Sequence, residues 1–280
     1  MSEPASEFSP GHAPAPGSAR AAADMASHLR IVLVGTQHPG NIGAAARAMK
    51  TMGLRRLVLV APERWPDEAA YRRSAGAEDV LGDAPVLGTL AEAVADCQWV
   101  LGCTARSRRV ALEELSPRVA ASRAWATANR AGEVALVFGR ERTGLDNDEL
   151  QLCHAAVHIP SDPAFSSLNL AAAVQVLAYE LRLAVLEGAA VAPLPSTLQG
   201  EAELRTDPPA THAQMEGLFG QLDAALVDID FHKGRASASA MRKLRRLYLR
   251  AALSEREVRL LRGILADTQR MARLAGQNGS

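Results

Sequence analysis

Short apolar runs alternate with amphipathic segments along the first two thirds of the chain. The apolar runs are rich in Val, Ile and Leu, which is typical of buried parallel strands. They predict strands at 31–34, 57–60, 99–103, 134–138 and 156–159. The segments between them have helical spacing and predict helices at about 41–52, 66–76, 89–96, 117–130 and 146–152. This alternation predicts an α/β fold in which helices cover both faces of a parallel sheet.

A longer helix is predicted at about 167–187, where leucine and valine recur every three or four positions. Three further helical patterns follow at about 211–227, 236–251 and 254–275. We therefore divide the chain into a disordered, proline-containing leader (1–24), an α/β domain (25–187), a linker rich in proline and glycine (188–210) and a helical extension (211–280).

Charge is balanced over the whole chain, with 31 basic and 31 acidic residues, but it is unevenly spread. Residues 233–262 contain ten basic and two acidic side chains, a net charge of +8. The densest part of this stretch is Arg242, Lys243, Arg245 and Arg246. Such a stretch is either a solvated helix face or a surface that binds nucleic acid, and the pattern alone leaves both open.

The sequence argues against several functional classes. Glu180 and Arg182 interrupt the most apolar helix, which excludes a membrane span. Three cysteines without a CxxC pair fit no disulfide framework, so we expect a cytoplasmic protein. The glycine-rich segments match neither the P-loop nor the dinucleotide-binding spacing. No metal is expected, because the spacing of His154 and His158 lacks the glutamate of a zinc helix and runs into a strand.

Three segments place glycine, serine and asparagine where strands end, which is where ligands bind in an open α/β sheet. The first motif segment, 35–43, opens the helix that carries Asn41 and Arg47. The second, 137–145, leaves a strand through Gly139 into a charged loop, after which we expect residues 146–149 to cap a helix. The third, 159–170, is a long excursion between a strand and the long helix, better suited to binding than to mere connection.

These segments lie in the stretches GNIGAAARAMKTMGL, LVFGRERTGL and IPSDPAFSSLNLAAAVQVLAYELR, which resemble the three signature motifs of the SPOUT superfamily. Within it the chain is most similar to the TrmH/TrmJ group of RNA ribose 2′-O-methyltransferases, and there to bacterial TrmJ. The resemblance implies a deep trefoil knot, a homodimer with active sites at the subunit interface, S-adenosylmethionine as cofactor and tRNA as partner. The implied reaction is methylation of the ribose 2′-OH of cytidine or uridine at position 32, in the anticodon loop.

The resemblance also implies roles for individual residues. Arg47 matches the catalytic arginine of the first motif, and we assign it to orienting the 2′-oxygen because arginine stays protonated in proteins. The residues implied in cofactor binding are Cys103, Thr104, Ala105, Gly139, Ile159, Ser166, Ser167 and Leu168. The residues expected to contact RNA are Asn41, Arg106, Arg140, Arg242, Lys243, Arg245 and Arg246.

One position departs from the family pattern. Some relatives have tyrosine where this chain has Phe165, which keeps a ring for base stacking but removes the hydroxyl.

Two alternative functions stay open at this point. In the first, a protein of the same fold methylates another tRNA position or ribosomal RNA. In the second, the chain is an RNA-binding SPOUT protein without catalysis.

Overall fold

A computed structural model describes residues 26–105, 112–186, 207–234 and 236–278 of the chain. The predicted leader, most of the predicted linker and Arg106 therefore lie outside the described residues. None of the described helices is long and apolar enough to cross a membrane.

The strands all run parallel in one sheet of seven within the described residues. They are β1 (Leu29–Val34), β2 (Arg56–Val60), β3 (Val86–Leu87), β4 (Trp99–Cys103), β5 (Glu113–Leu115), β6 (Val134–Phe138) and β7 (Ala155–Val157). Their spatial order is β3-β2-β1-β6-β4-β7-β5. The five predicted strands are confirmed, although β7 ends two residues earlier than expected. The strands β3 and β5 are too short to show a pattern in the sequence.

The described helices, in chain order, are α1 (Pro39–Thr51), α2 (Glu68–Ser74), α3 (Glu78–Gly82), α4 (Leu90–Ala93), α5 (Pro117–Ala128), α6 (Asn147–Gln151), α7 (Leu170–Leu186), α8 (His212–Asp228), α9 (Ala238–Ala251) and α10 (Glu255–Asn278). The helix predicted at about 66–76 is present as the shorter α2, which ends at Ser74 because Ala75 and Gly76 adopt φ angles of +41° and +92°. The helix predicted at 89–96 is only the short α4, and α7 starts three residues later than predicted.

Alternate side chains of each strand enter different cores, as expected for a sheet covered on both faces. Ile31 and Leu33 of β1 pack in a core formed with α1, α5 and α7. Val32 and Val34 face the other side, where Leu90 of α4 and Leu150 of α6 cover the sheet. The predicted α/β class with a doubly covered parallel sheet is confirmed.

The three C-terminal helices have a small core of their own and are tied to the sheet domain. Met215, Leu218 and Phe219 of α8 pack against Val258 of α10. The backbone N–H of His212 donates to the carbonyl of Cys97 over 2.8 Å, and that of Ala213 to Ala95 over 2.9 Å. The end of the predicted linker is also packed, because Pro209 forms an isolated bridge with Ser254.

The sheet order places the ends of β1, β6, β4 and β7 side by side. Because parallel strands all finish at the same edge, the loops that follow these strands meet there. The first motif segment follows β1, the second follows β6 and the third follows β7. The fold therefore gathers segments that are far apart in sequence at one edge of the sheet.

Candidate active site

The first motif segment needs glycine for two separate reasons. Gly35 turns the chain out of β1 with a φ of +58°, a conformation that glycine adopts without strain. Gly43 lies in α1 where the helix crosses α2, and a Cβ there would stand 1.9 Å from the carbonyl oxygen of Ala70. Close packing against α2 therefore fixes the helix that carries Asn41 and Arg47.

The second motif segment is a tight loop that closes on itself. A Cβ on Gly139 would lie 2.2 Å from the backbone carbon of Gly144, so only glycine fits. Gly144 has a φ of +68° and pairs with Arg140 in an isolated bridge. The loop then ends in a capping box between Asp146 and Glu149, which confirms the predicted helix cap.

Glu141 of this loop holds the first motif segment in place. Its carboxylate accepts hydrogen bonds from the backbone N–H of Gln37 at 2.9 Å and of His38 at 3.2 Å. It also accepts one from the Asn41 side-chain amide at 2.9 Å. Burial alone would raise the pKa of Glu141, but the hydrogen bonds from Asn41 and these backbone groups outweigh it and lower the pKa. The group therefore acts as an ionised acceptor.

Asn169 connects the third motif segment to the same cluster. Its amide nitrogen donates to Oδ1 of Asn41 over 3.0 Å. Its own Oδ1 accepts from the backbone N–H of Ala171 at 3.0 Å, at the start of α7. We call these contacts the Glu141–Asn41–Asn169 link. Asn41 is among the predicted site residues, whereas Glu141 and Asn169 are not, although both lie inside the quoted motifs.

Arg47 lies on α1, six residues beyond Asn41, and is exposed. Among the described residues, its guanidinium has no hydrogen bond or ion pair. The same helix shows the contrast, since Lys50 pairs with Asp79 at 2.7 Å and donates to the carbonyl of Gly76. The Arg47 side chain is thus available to a ligand, whereas Lys50 is used in packing α3 against α1.

The residues predicted for the cofactor surround the ends of three adjacent strands. Cys103 ends β4, Gly139 follows β6 and Ile159 lies just beyond β7. Thr104 continues the ladder by donating its N–H to Val157 over 3.0 Å. Ala105 is the last residue described before a gap, and it is exposed.

The third loop completes this set with Ser166, Ser167 and Leu168. Residues 158–169 form no helix or strand, so most backbone donors and acceptors there are outside any ladder. Burial raises the pKa of the Cys103 thiol to about 12, which keeps it neutral. Neutral backbone and hydroxyl groups beside the half-buried Ile159 and Leu168 fit an adenosine with a cationic sulfonium, because no predicted cofactor residue carries a positive charge.

The residues predicted to contact RNA divide into engaged and exposed groups. Arg140 places one guanidinium nitrogen 3.0 Å from both carboxylate oxygens of Glu149, and its side chain lies across Gly35. Arg245 is ion-paired with Glu216, donates to the carbonyl of Gln151 and lies 4.6 Å from the centre of the Phe219 ring. The exposed residues of this set on α9 are Arg242, Lys243 and Arg246.

Comparison with known proteins agrees with these motifs. The SpoU rRNA Methylase family model matches residues 28–179, and the model of the tRNA methyltransferase TrmJ C-terminal domain matches residues 213–277. The chain is 49% identical over 249 residues to the tRNA (cytidine/uridine/adenosine-2′-O-)-methyltransferase TrmJ of Pseudomonas aeruginosa, covering 89% of this chain and 96% of that protein. It is 44% identical to the tRNA (cytidine/uridine-2′-O-)-methyltransferase TrmJ of Pectobacterium atrosepticum, covering 88% and 98% respectively.

Solved structures give the same answer. The crystal structure of TrmJ from Z. mobilis ZM4 superposes with a TM-score of 0.71 at 35% identity, covering 85% of this chain and 97% of that one. A probable methylase family protein from Haemophilus influenzae Rd KW20 is 41% identical, with a TM-score of 0.54 and coverage of 89% and 98%. The resemblance found in the three motifs is confirmed. The chain belongs to the SpoU methylase family and, within it, to the TrmJ group.

Proposed function

We propose that this protein transfers a methyl group from S-adenosylmethionine to the ribose 2′-OH of cytidine or uridine at position 32 of tRNA. The observation that carries the proposal is the Glu141–Asn41–Asn169 link, which joins the three motif segments at the edge where four strands end. Arg47, six residues further along α1, has no hydrogen bond or ion pair among the described residues and is available to a ligand. Membership of the TrmJ group supports the reaction and the tRNA substrate.

The proposal includes three features of the whole protein. The α/β domain ends in a deep trefoil knot, and two copies form a homodimer with active sites at their interface; the motif resemblance and the TrmJ match support both. The protein works in the cytoplasm, which the free thiols of Cys97, Cys103 and Cys153 support.

Arg47 acts by orientation in this proposal. When bound, S-adenosylmethionine supplies an electrophilic methyl group on a sulfonium. The strand ends and loop that carry Gly139, Ile159 and Ser166 would hold it, and the chemistry it would supply is transfer of that methyl group to the 2′-oxygen. Arg47 would donate to the 2′-oxygen and to the adjacent phosphate, as one contributor to the roughly 7–11 kcal/mol that positioning of both reactants supplies. The 2′-proton leaves to another acceptor, because a protonated guanidinium has no free lone pair.

Ribosomal RNA is the second candidate substrate, because the matching family model is described as an rRNA methylase. The C-terminal helices favour tRNA over it. They match the TrmJ C-terminal domain, and they carry the stretch with a net charge of +8.

The test is methyl transfer from labelled S-adenosylmethionine to a matched set of tRNA transcripts with ribose or 2′-deoxyribose at position 32. We expect label only in the ribose set, and a panel with each base at position 32 measures base preference. Arg47→Ala in the same assay is expected to lose turnover while keeping cofactor affinity. Methyl transfer to the 2′-deoxyribose set would refute position 32 as the methylated position. Label in ribosomal RNA alone would show that ribosomal RNA, and not tRNA, is the substrate.

A further inference from the structure

A cavity of about 290 Å³ lies between α6 of the sheet domain and the basic helix α9. Asn147 and Gln151 line it from α6, and Arg242, Arg245 and Arg246 line it from α9. None of the described residues that line the cavity is acidic. The cavity therefore combines three guanidinium groups with two amides.

The three arginines of the cavity are not equivalent. Arg245 is held by Glu216, by the Gln151 carbonyl and by the Phe219 ring, so it fastens α9 to the rest of the protein. Arg242 and Arg246 stand one helical turn apart and are exposed, and within the described residues neither guanidinium has a hydrogen bond or ion pair. Two unpaired guanidinium groups on a prepositioned helix are well suited to a phosphate, which arginine binds in a bidentate manner.

The remaining walls are neutral and partly apolar. Leu112 and Leu249 contribute aliphatic surface. Burial raises the pKa of the Cys153 thiol to about 12, so this side chain adds no negative charge to the cavity. The volume is close to the lower end of the range for small-molecule sites, roughly 300–1,000 Å³, which suits one nucleotide.

We propose that this cavity binds one nucleotide of the RNA substrate, with its phosphate on Arg242 and Arg246 and its nucleoside against Leu112 and Leu249. The inference rests on the proposed RNA substrate and adds a site to it. Helix α6 begins three residues after Gly144, so a nucleotide bound here lies beside the second motif segment. Binding at this point therefore fixes the register of the RNA relative to the active site.

The first test compares two double variants that remove the same charge. Arg242→Ala/Arg246→Ala removes the proposed phosphate-binding groups. Arg250→Ala/Arg273→Ala removes two exposed arginines of α9 and α10 that do not line the cavity and have no partner among the described residues. The Kd of full-length tRNA transcript is measured by fluorescence anisotropy over a series of salt concentrations. We expect the first pair to weaken binding about tenfold more than the second, and to lower the salt slope further by about one.

The second test blocks the cavity without changing charge. Asn147→Trp alters an exposed residue at the start of α6, and we expect it to weaken tRNA binding while the thermal unfolding midpoint stays unchanged. Equal losses of affinity in the two double variants, or unchanged binding by Asn147→Trp, would overturn the proposal. Should the first double variant fail to fold, Asn147→Trp decides alone.

The two proposals fail in different ways. Methyl transfer to tRNA by the unaltered protein, with equal binding losses in both pairs, refutes the cavity and leaves the enzyme. A selective loss of RNA binding, with no methyl transfer to any RNA, refutes the reaction and leaves the cavity. If inorganic phosphate displaces RNA from this cavity at a concentration no higher than that of the RNA, the cavity is a small-anion site. That result also refutes a nucleotide site.

Discussion

Glu141 is a single carboxylate that accepts from three donors on the first motif segment. Two of these donors are the backbone N–H groups of Gln37 and His38. Among the described residues, these N–H groups have no hydrogen-bond acceptor other than Glu141. The carboxylate is also half-buried, so an unmet donor here cannot be fully satisfied by water. The arrangement makes Glu141 a positioning residue for the helix that carries Arg47.

The Glu141→Gln variant tests this role. The amide keeps the size of the side chain but places an NH₂ group against donors, so we expect a decrease of about 1–3 kcal/mol in the free energy of unfolding. We also expect kcat to fall more than KM changes, because the Arg47 helix is no longer held in alignment. Both are measured by urea unfolding and methyl-transfer kinetics.

Glu63→Gln is the matched control for that variant. Glu63 is exposed and accepts one side-chain hydrogen bond, from Gln37 at 2.9 Å. The substitution is the same, carboxylate to amide, but the Glu63 side chain accepts one hydrogen bond whereas that of Glu141 accepts three. If Glu63→Gln lowers kcat as much as Glu141→Gln does, the positioning role of Glu141 is refuted.

At the scale of elements, the sequence predicts best those strands that are buried on both faces. β1 is buried along its whole length, so its continuous apolar run is unambiguous. The end of α2 at Ser74 depends on the left-handed backbone at Ala75, although alanine is a residue type that favours continuation of a helix. The close packing of Gly43 against Ala70 is a tertiary contact, and the sequence around either residue does not predict it.

The contact between β7 and α8 contains two histidines, of which His212 is buried and His154 is half-buried. Just before β7, Nδ1 of His154 accepts from the backbone N–H of Val100 at 3.0 Å. Burial, with added repulsion from His212 and Arg245, lowers the pKa of His154 to about 3. The pKa of His212 is also lowered, mainly by burial, while its Nε2 lies 3.1 Å from the Leu152 carbonyl. Both rings are therefore neutral in the folded protein.

This predicts that acid destabilises the fold well above the folded-state pKa of His154. In the unfolded chain His154 takes up a proton below its ordinary pKa of 6.5, while the folded form binds one only near 3. The contribution of His154 to the free energy of unfolding is therefore fully present above pH 6.5. It decreases as the pH falls, by about 2 kcal/mol at pH 5. Urea unfolding at pH 7.5 and pH 5.0 measures the change.

The His154→Asn variant isolates that contribution. The asparagine carbonyl can accept from Val100 but does not titrate, so the difference between the two pH values should shrink by about 2 kcal/mol. An undiminished difference in the variant would show that other groups cause the acid sensitivity.

At the scale of the whole molecule, the active site depends on contacts that local sequence cannot specify. Asn41 meets Glu141 across 100 residues and Asn169 across 128 residues. Their meeting depends on the strand order β1-β6-β4-β7, which hydrophobic spacing does not determine. The motif resemblance identifies the three segments and Arg47, whereas the partners Glu141 and Asn169 become visible only when the segments are assembled.

The C-terminal helices are attached to this assembly by hydrogen bonds such as those from the backbone of His212 and Ala213, and their charge differs from that of the rest of the chain. Residues 233–262 carry a net charge of +8 in a chain that is neutral overall. If this stretch binds tRNA, its side chains neutralise phosphates and release counterions, which makes affinity depend steeply on salt.

Truncation after Glu187 removes this charge and predicts two linked changes. The affinity for tRNA should fall, and the slope of log Kd against log salt should flatten by about 0.7–0.9 for each phosphate that the removed side chains neutralise. Titration calorimetry with S-adenosylmethionine serves as the control, because the three motif segments all precede the cut and cofactor binding should persist. A truncated protein that retains both its tRNA affinity and its salt slope would show that the basic stretch is a solvated helix face, the other interpretation that the sequence allows.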